Sequence, residues 1–502
     1  MPPLVLAIDI GTSSVRAAIY DEKARVLPET MVKNERILTA TEDGGAEIDA
    51  DEAFRQVVEA VDVVLKKAKK VVEESEIGLV AVSSFWHSLV GIDEKGAPTT
   101  KVFGWADTRS RKYVSVWREK FDEAAIHNRT GAHFHSSYWT AKLLWLQREH
   151  RTIFKKTAKW LSFSDFVALK LLDTTATSVS MASGTGIFDI RKCVWDDEIL
   201  SFLKIGKENL PEIVADDSQT FRLNNTYARR WKKIENARWF PGIGDGAANN
   251  IGAGCAKKSR AALMIGTSGA MRVAFEGSPP EKIPAGLWCY RIDRKRVITG
   301  GALSDGGGLY RWLKDNLRLA EDDDKTEAEI ARREPDAHGL TFLPFLAGER
   351  STGYHETASG AILGLNPATD AVDFVQAALE AVAYRFAEIY DRLNGVCRIR
   401  EIIASGGALR ESPVWTQIIA DVLAQNLNLP DTREASSRGA VLLALETTGK
   451  IKSITDLPTP KGREFNFDKK RNSVYRKARA RHEKFYNLLI DSAAAALETD
   501  DE

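Results

Sequence analysis

Apolar positions near the start of the chain fall into two short runs, residues 4–8 and 15–20, separated by a polar turn that opens with Gly11. Short apolar runs bounded by turn residues predict buried strands, and two in succession predict a β-hairpin. The pattern returns in mid-chain, where residues 261–265 and 271–275 flank a turn that opens with Gly266. Both turns carry Ile-Gly-Thr-Ser, beginning at Ile10 and at Ile265. One motif at the same place in two hairpins argues for two related half-proteins facing one ligand.

Between the hairpins, Phe54, Val57, Val58, Val61, Val64, Leu65 and Ala68 recur at helical spacing. Asp49 and Asp51 are N-cap candidates, and Lys66, Lys67, Lys69 and Lys70 sit where the helix dipole favours cations. Further strands are predicted at residues 25–29, 77–84 and 89–92. From residue 102 the chain becomes rich in aromatic and polar residues, with helices predicted at 141–148 and 164–172, and reads as a substrate-shaping insertion. Residues 240–246 predict a strand end and glycine turn before a small-residue helix, 247–256. The domain boundary is placed there, dividing residues 1–256 from 257–502.

The second half repeats the plan. A strand at 297–299 leads to Gly300 and Gly301, then Gly306 to Gly308 precede a helix at 309–316. The acidic run 321–324 reads as a solvated loop, and 340–345 as a strand. A long helix carries Phe374, Ala378, Val382, Phe386, Ile389 and Leu393 on one face, with Gly395 as its stop. A strand at 399–404 and helices at 414–425 and 439–447 follow. The tail, 471–497, is expected to be helical and peripheral.

Length and charge narrow the partners. At 502 residues the chain exceeds what one hydrophobic core organises, and 44% hydrophobic residues suffice for a large buried interior. Lys plus Arg and Asp plus Glu both number 70, which removes a global electrostatic case for nucleic acid or an anionic membrane. No apolar run approaches the roughly 18 residues of a membrane span, and no signal-peptide pattern opens the chain, so a cytoplasmic protein is expected. The four cysteines, Cys193, Cys255, Cys289 and Cys397, lack metal or redox spacing and read as inert thiols. His133 and His135 have no third ligand spaced to join them and read as polar packing.

The turns carry the chemistry. A glycine lets backbone N–H groups approach an anion closely, and the hydroxyls of Thr12, Ser13, Thr267 and Ser268 add donors. Asp9 precedes the first motif and Met264 the second, so only the first hairpin offers a carboxylate to a metal beside phosphates. A cleft between two such halves fits a nucleoside triphosphate. The usual P-loop and the dinucleotide fingerprint are both absent.

Asp9-Ile10-Gly11-Thr12-Ser13, Trp86-His87, residues 105–109, Gly244-Asp245-Gly246, Ile265-Gly266-Thr267-Ser268-Gly269, residues 344–350 and Ser405-Gly406-Gly407 together resemble the FGGY carbohydrate kinases over nearly the whole chain. Within that family the chain looks most like the gluconokinases. Trp86, where many relatives have methionine, and Ser304-Asp305, where asparagines are expected, depart from the pattern.

The resemblance implies an α/β fold of two actin-like, ribonuclease H-like domains with ATP and sugar bound in the cleft between them. It implies ATP and Mg²⁺ as cofactors, Asp245 as the catalytic base, and Asp9 beside the metal. Thr12, Ser13, Gly266, Thr267 and Ser268 would meet phosphates, and Gly307 and Gly407 the nucleotide. Trp86 and His87 would meet the sugar. Arg109 and Arg350 are each read two ways, as partners of a sugar-acid carboxylate or of a structural one. The expected reaction is phosphorylation of D-gluconate to 6-phosphogluconate, with xylulose or a polyol as alternative acceptor. An actin-like ATPase that phosphorylates no sugar is the alternative from another class. Small molecules, with no nucleic acid or membrane, are the expected partners, and a homodimer is left open.

Overall fold

The computed structural model describes residues 3–35, 38–70, 76–319, 323–431, 434–456, 458 and 460–491. Two sheets of the same order form its frame. In the first, strands Leu4–Ile10, Ser14–Tyr20 and Val32–Glu35 make an antiparallel meander. Ile77–Ser84 then joins parallel to Leu4–Ile10, with Arg238–Trp239 parallel beyond it. All seven residues of Leu4–Ile10 are buried, as a central strand covered on both faces requires. Helix Ala50–Lys67 makes the crossover, its first amides capped by the Asp49 carboxylate and its apolar stripe packed on the meander.

The second sheet runs Arg296–Leu303, Gly269–Glu276, Arg260–Ile265, Glu401–Ser405, Leu427–Pro430, with Trp288–Arg291 and Gly462–Phe465 added at its edges. Both hairpins therefore lie at the centre of a sheet, and their turns project from the same end of each. The loops differ by a residue. Gly11 N–H donates to Ser14 O across the first, whereas Gly266 N–H donates to Ser268 O across the second.

Two helices join the lobes. Asp245–Gly252 crosses Ala435–Thr447, and the latter also packs on strands Leu4–Ile10 and Ile77–Ser84, so the first sheet is covered by a helix from the second half. The crossing depends on two glycines. A Cβ at Gly252 would lie 1.8 Å from Ala435 O, and one at Gly439 would lie 1.8 Å from Ala248 O. The insertion adds further contacts to the second lobe: Tyr138 and Tyr290 hydroxyls meet at 2.6 Å, and Ser136 N–H donates to Glu356 Oε1 at 2.9 Å.

Several elements differ from those the sequence predicts. The third strand is Val32–Glu35 and not 25–29, because Asp21 accepts amides from Lys23 and Arg25 and folds that stretch into a turn. Gly300 and Gly301 lie inside a strand. Cβ atoms there would reach 2.4 Å from Met271 O and 2.7 Å from the Ile389 side chain, so these glycines admit a neighbouring strand and the long helix. Gly395 does not stop the long helix, which spans Ala371–Cys397 and ends at Arg398 in the left-handed region, φ 54°. Of the acidic run, Asp323 and Asp324 begin helix Asp323–Arg332, and residues 321–322 lie outside the described residues. The C-terminal helix, Lys469–Tyr486, buries Tyr475, Ala478 and His482, and its Tyr486 hydroxyl donates to Glu349 Oε2 at 2.7 Å. One face packs on the core through Tyr475 and Ala478 while much of the helix is exposed, as expected of a peripheral helix; residues 492–497 lie outside the described residues.

Candidate active site

A cleft of about 800 Å³ opens between the lobes, and both glycine turns line it. Asp9, Gly11, Thr12 and Ser13 come from one wall, Gly266, Thr267 and Ser268 from the other, with Trp86, His87 and Asp245 between them. Gly266 and Thr267 also border an adjoining cavity of about 480 Å³, lined by Gly307, Tyr310, Leu379, Gly407, Ser412 and Trp415. The two spaces thus meet at the second turn. The backbone around it is braced: Gly307 and Gly308 N–H groups donate to Gly266 O at 2.8 Å and Thr267 O at 2.9 Å. Gly307 therefore offers the cavity its Cα surface, its amide being committed to the turn.

Asp9, the penultimate residue of its strand, lies opposite Arg16 and beside Ser83. Its carboxylate accepts the Ser83 hydroxyl and lies 3.7 Å from Arg16 Nη1. Burial raises its pKa to about 6 against the opposing effects of Ser83 and Arg16. Met264 holds the corresponding place in the second hairpin and pairs with Ala270.

Asp245 is the first residue of helix Asp245–Gly252, where the helix dipole favours a carboxylate. Its Oδ1 accepts Gly246 N–H at 2.7 Å. Burial nonetheless raises its pKa, with Arg272 the chief opposing charge. The flanking glycines serve Trp86. A Cβ at Gly244 would lie 1.9 Å from Trp86 Cε2, and one at Gly246 2.8 Å from Trp86 Cζ3. The indole is fixed from its other side, Nε1 donating to Ser180 O at 2.9 Å.

His87 has φ 66°, in the left-handed region, and its Nδ1–H donates to Gly184 O at 2.5 Å. Burial, aided by Arg350, lowers its pKa to about 3, so the ring is neutral and Nε2 is an acceptor. Tyr138 and Tyr290 pack edge-on against it.

Arg109 is not brought to this cleft. Its guanidinium is held by Asp107 and by Glu47 at 2.6 Å, and lies over the rings of Phe103 and Trp145. The structural carboxylate is its partner. Arg350 does line the cleft, with its guanidinium 5.0 Å from the Trp105 ring centroid. Asp305 accepts Ala347 N–H at 3.3 Å and so tethers the loop that carries Arg350. His133 stacks on His127 at 3.9 Å and pairs with Glu123, in line with polar packing.

Arg16, Asn249, Arg272, Tyr290 and Glu434 also line the cleft and were not singled out from sequence. Strand alternation held the signal for Arg16, which lies directly across from Asp9 once the hairpin register is set.

Comparison with known proteins agrees with this geometry. Residues 4–252 match the N-terminal domain model of the FGGY family of carbohydrate kinases, and residues 261–447 match its C-terminal domain model. A gluconokinase from Bacillus licheniformis is 29% identical over 465 residues, covering 90% of this chain and 89% of its own. A xylulose kinase from Staphylococcus xylosus is 25% identical, with 88% and 90% covered. A crystal structure of gluconate kinase from Lactobacillus acidophilus superposes with a TM-score of 0.87 at 24% identity, covering 97% of this chain and 98% of that one. Two lobes of one topology, paired glycine turns and a carboxylate between them are thus joined to full-length similarity, and the chain belongs to the FGGY family of carbohydrate kinases.

Proposed function

We propose that this kinase transfers the γ-phosphoryl group of ATP to D-gluconate, forming 6-phosphogluconate. The observation that carries the reading is Asp245, a carboxylate of raised pKa facing a cleft whose two walls are glycine-hydroxyl turns. A hydroxyl attacking phosphorus must lose its proton, and a positioned carboxylate accepts it. Thr12, Ser13, Gly266, Thr267 and Ser268 hold the phosphates. The nucleoside lies in the adjoining cavity against Gly307 and Gly407. His87 Nε2 accepts a hydrogen bond from a sugar hydroxyl, and Trp86 forms an apolar floor. We place the lobe boundary at residues 256–257 and the enzyme in the cytoplasm.

Magnesium fits the oxygen donors at the first turn. Asp9 offers a buried carboxylate, and in the same cleft lining, on helix Asp245–Gly252, Asn249 Oδ1 is buried without a hydrogen-bond partner among the described residues. When bound there, the ion neutralises charge on the triphosphate. Asp9 would hold it, with Asn249 beside it.

Gluconate as acceptor is supported by the gluconokinase relatives and by Arg350 in the cleft lining. Coupled ADP release measured across gluconate, xylulose, ribulose, glycerol and erythritol tests it. The highest kcat/KM is expected with gluconate. Preference for a ketose or polyol would overturn the acceptor, and ATP turnover indifferent to every sugar would favour the actin-like ATPase.

A further inference from the structure

We propose that Arg272 selects an anionic acceptor, its guanidinium receiving the carboxylate of the sugar acid. The proposal deepens the gluconate reading and rests on it. Arg272 lies on strand Gly269–Glu276, just past the second phosphate turn, and lines the cleft together with Trp86, His87, Asp245 and Arg350.

Among the described residues its guanidinium has no hydrogen-bond or ion-pair partner, and Asp245 is the chief charge opposing it. Nε and Nη1 are buried and make no hydrogen bond, and no carboxylate among the described residues forms an ion pair with it. Arg109, Arg296 and Arg385, by contrast, each meet at least two carboxylates. A buried guanidinium left unpaired is unfavourable and is relieved by a bidentate anion.

The surroundings make room for this side chain. A Cβ at Gly300 would come within 3.0 Å of Arg272 Cγ, so that glycine admits its stem. A Cβ at Gly246 would lie 3.3 Å from Arg272 Nε as well as against Trp86. The glycine after Asp245 therefore admits both the indole and the guanidinium. Burial lowers the Arg272 pKa to about 10, which leaves it charged at neutral pH.

Two anions enter this cleft, the acceptor's carboxylate and the phosphoryl group in transfer. The position of Arg272 favours the carboxylate. Its neighbours are Asp245, the chief charge opposing it, with Trp86, Gly246, Tyr290 and Arg350, at the end of the cleft where His87 packs on Tyr290. The phosphate turn of the first hairpin has its own arginine, Arg16, opposite Asp9.

Steady-state kinetics of Arg272→Gln with gluconate and ATP test the proposal. The KM for gluconate should rise by about 10- to 100-fold, more than any fall in kcat, with the KM for ATP held within about threefold. Arg272→Lys, which keeps the charge without the fork, should fall between. An unchanged gluconate KM would overturn the proposal. A fall in kcat with a raised KM for ATP would overturn it too, and would assign the guanidinium to the phosphoryl group. If Arg272→Gln does not fold, Arg272→Lys decides alone: about a tenfold rise in gluconate KM is expected, and none would contradict. The two readings fail separately. A wild-type enzyme that prefers a neutral sugar refutes the gluconate assignment, whereas a wild-type gluconate kinase indifferent to Arg272→Gln refutes only the role of Arg272.

Discussion

Asp245 and His87 face one cleft, yet burial moves their proton affinities in opposite directions. Burial disfavours whichever form is charged, so the carboxylate is raised and the imidazole lowered. The base form of Asp245 is complete well above its raised pKa and is lost as pH falls through it. The acid limb of kcat/KM should therefore lie above 3.8, the ordinary aspartate value. His87, at about 3, stays neutral across that limb. A pH–rate profile of His87→Asn should keep the limb of the wild type at reduced rate, and disappearance of the limb in that variant would assign it to the histidine.

At the scale of elements, the helix crossing is the most sharply constrained feature. Gly439→Ala would drive a methyl into Ala248 O, which backbone cannot yield without separating the two helices. Loss of sugar-dependent turnover by at least about tenfold is expected, with a lower Tm. Wild-type kinetics and melting in that variant would show that the lobes do not depend on this contact. The crossing also marks where the sequence stops being legible. Apolar runs and glycine turns exposed the two hairpins, the crossover helix and the long helix, because their periodicity is local. The small residues of 247–256 point to close approach by another element, but not to which one, since Gly439 lies far along the chain. Gly300, Gly301 and Gly395 misled for the same reason: glycine in a strand or helix is a local breaker, and tertiary packing overrode it. Arg109 and Arg272 are equally plain arginines in sequence. Only the fold shows that the first is held by Asp107 and Glu47 while the second lines the cleft with no ion-pair partner among the described residues.

For the whole molecule, the two lobes share a topology but divide the chemistry unequally. The first supplies Asp9, Trp86, His87 and the helix that begins with Asp245, and the second supplies Arg272 and the cavity proposed for the nucleoside. Links such as Ser136 to Glu356 and Tyr138 to Tyr290 tie the insertion of the first lobe to the second. The account centres on Asp245 as the base of phosphoryl transfer. Sugar-dependent ADP release by Asp245→Asn, measured beside its ADP affinity, tests that most directly. Turnover should fall by on the order of 10²-fold or more while ADP binds as tightly as to wild type. Full turnover in Asp245→Asn would contradict it.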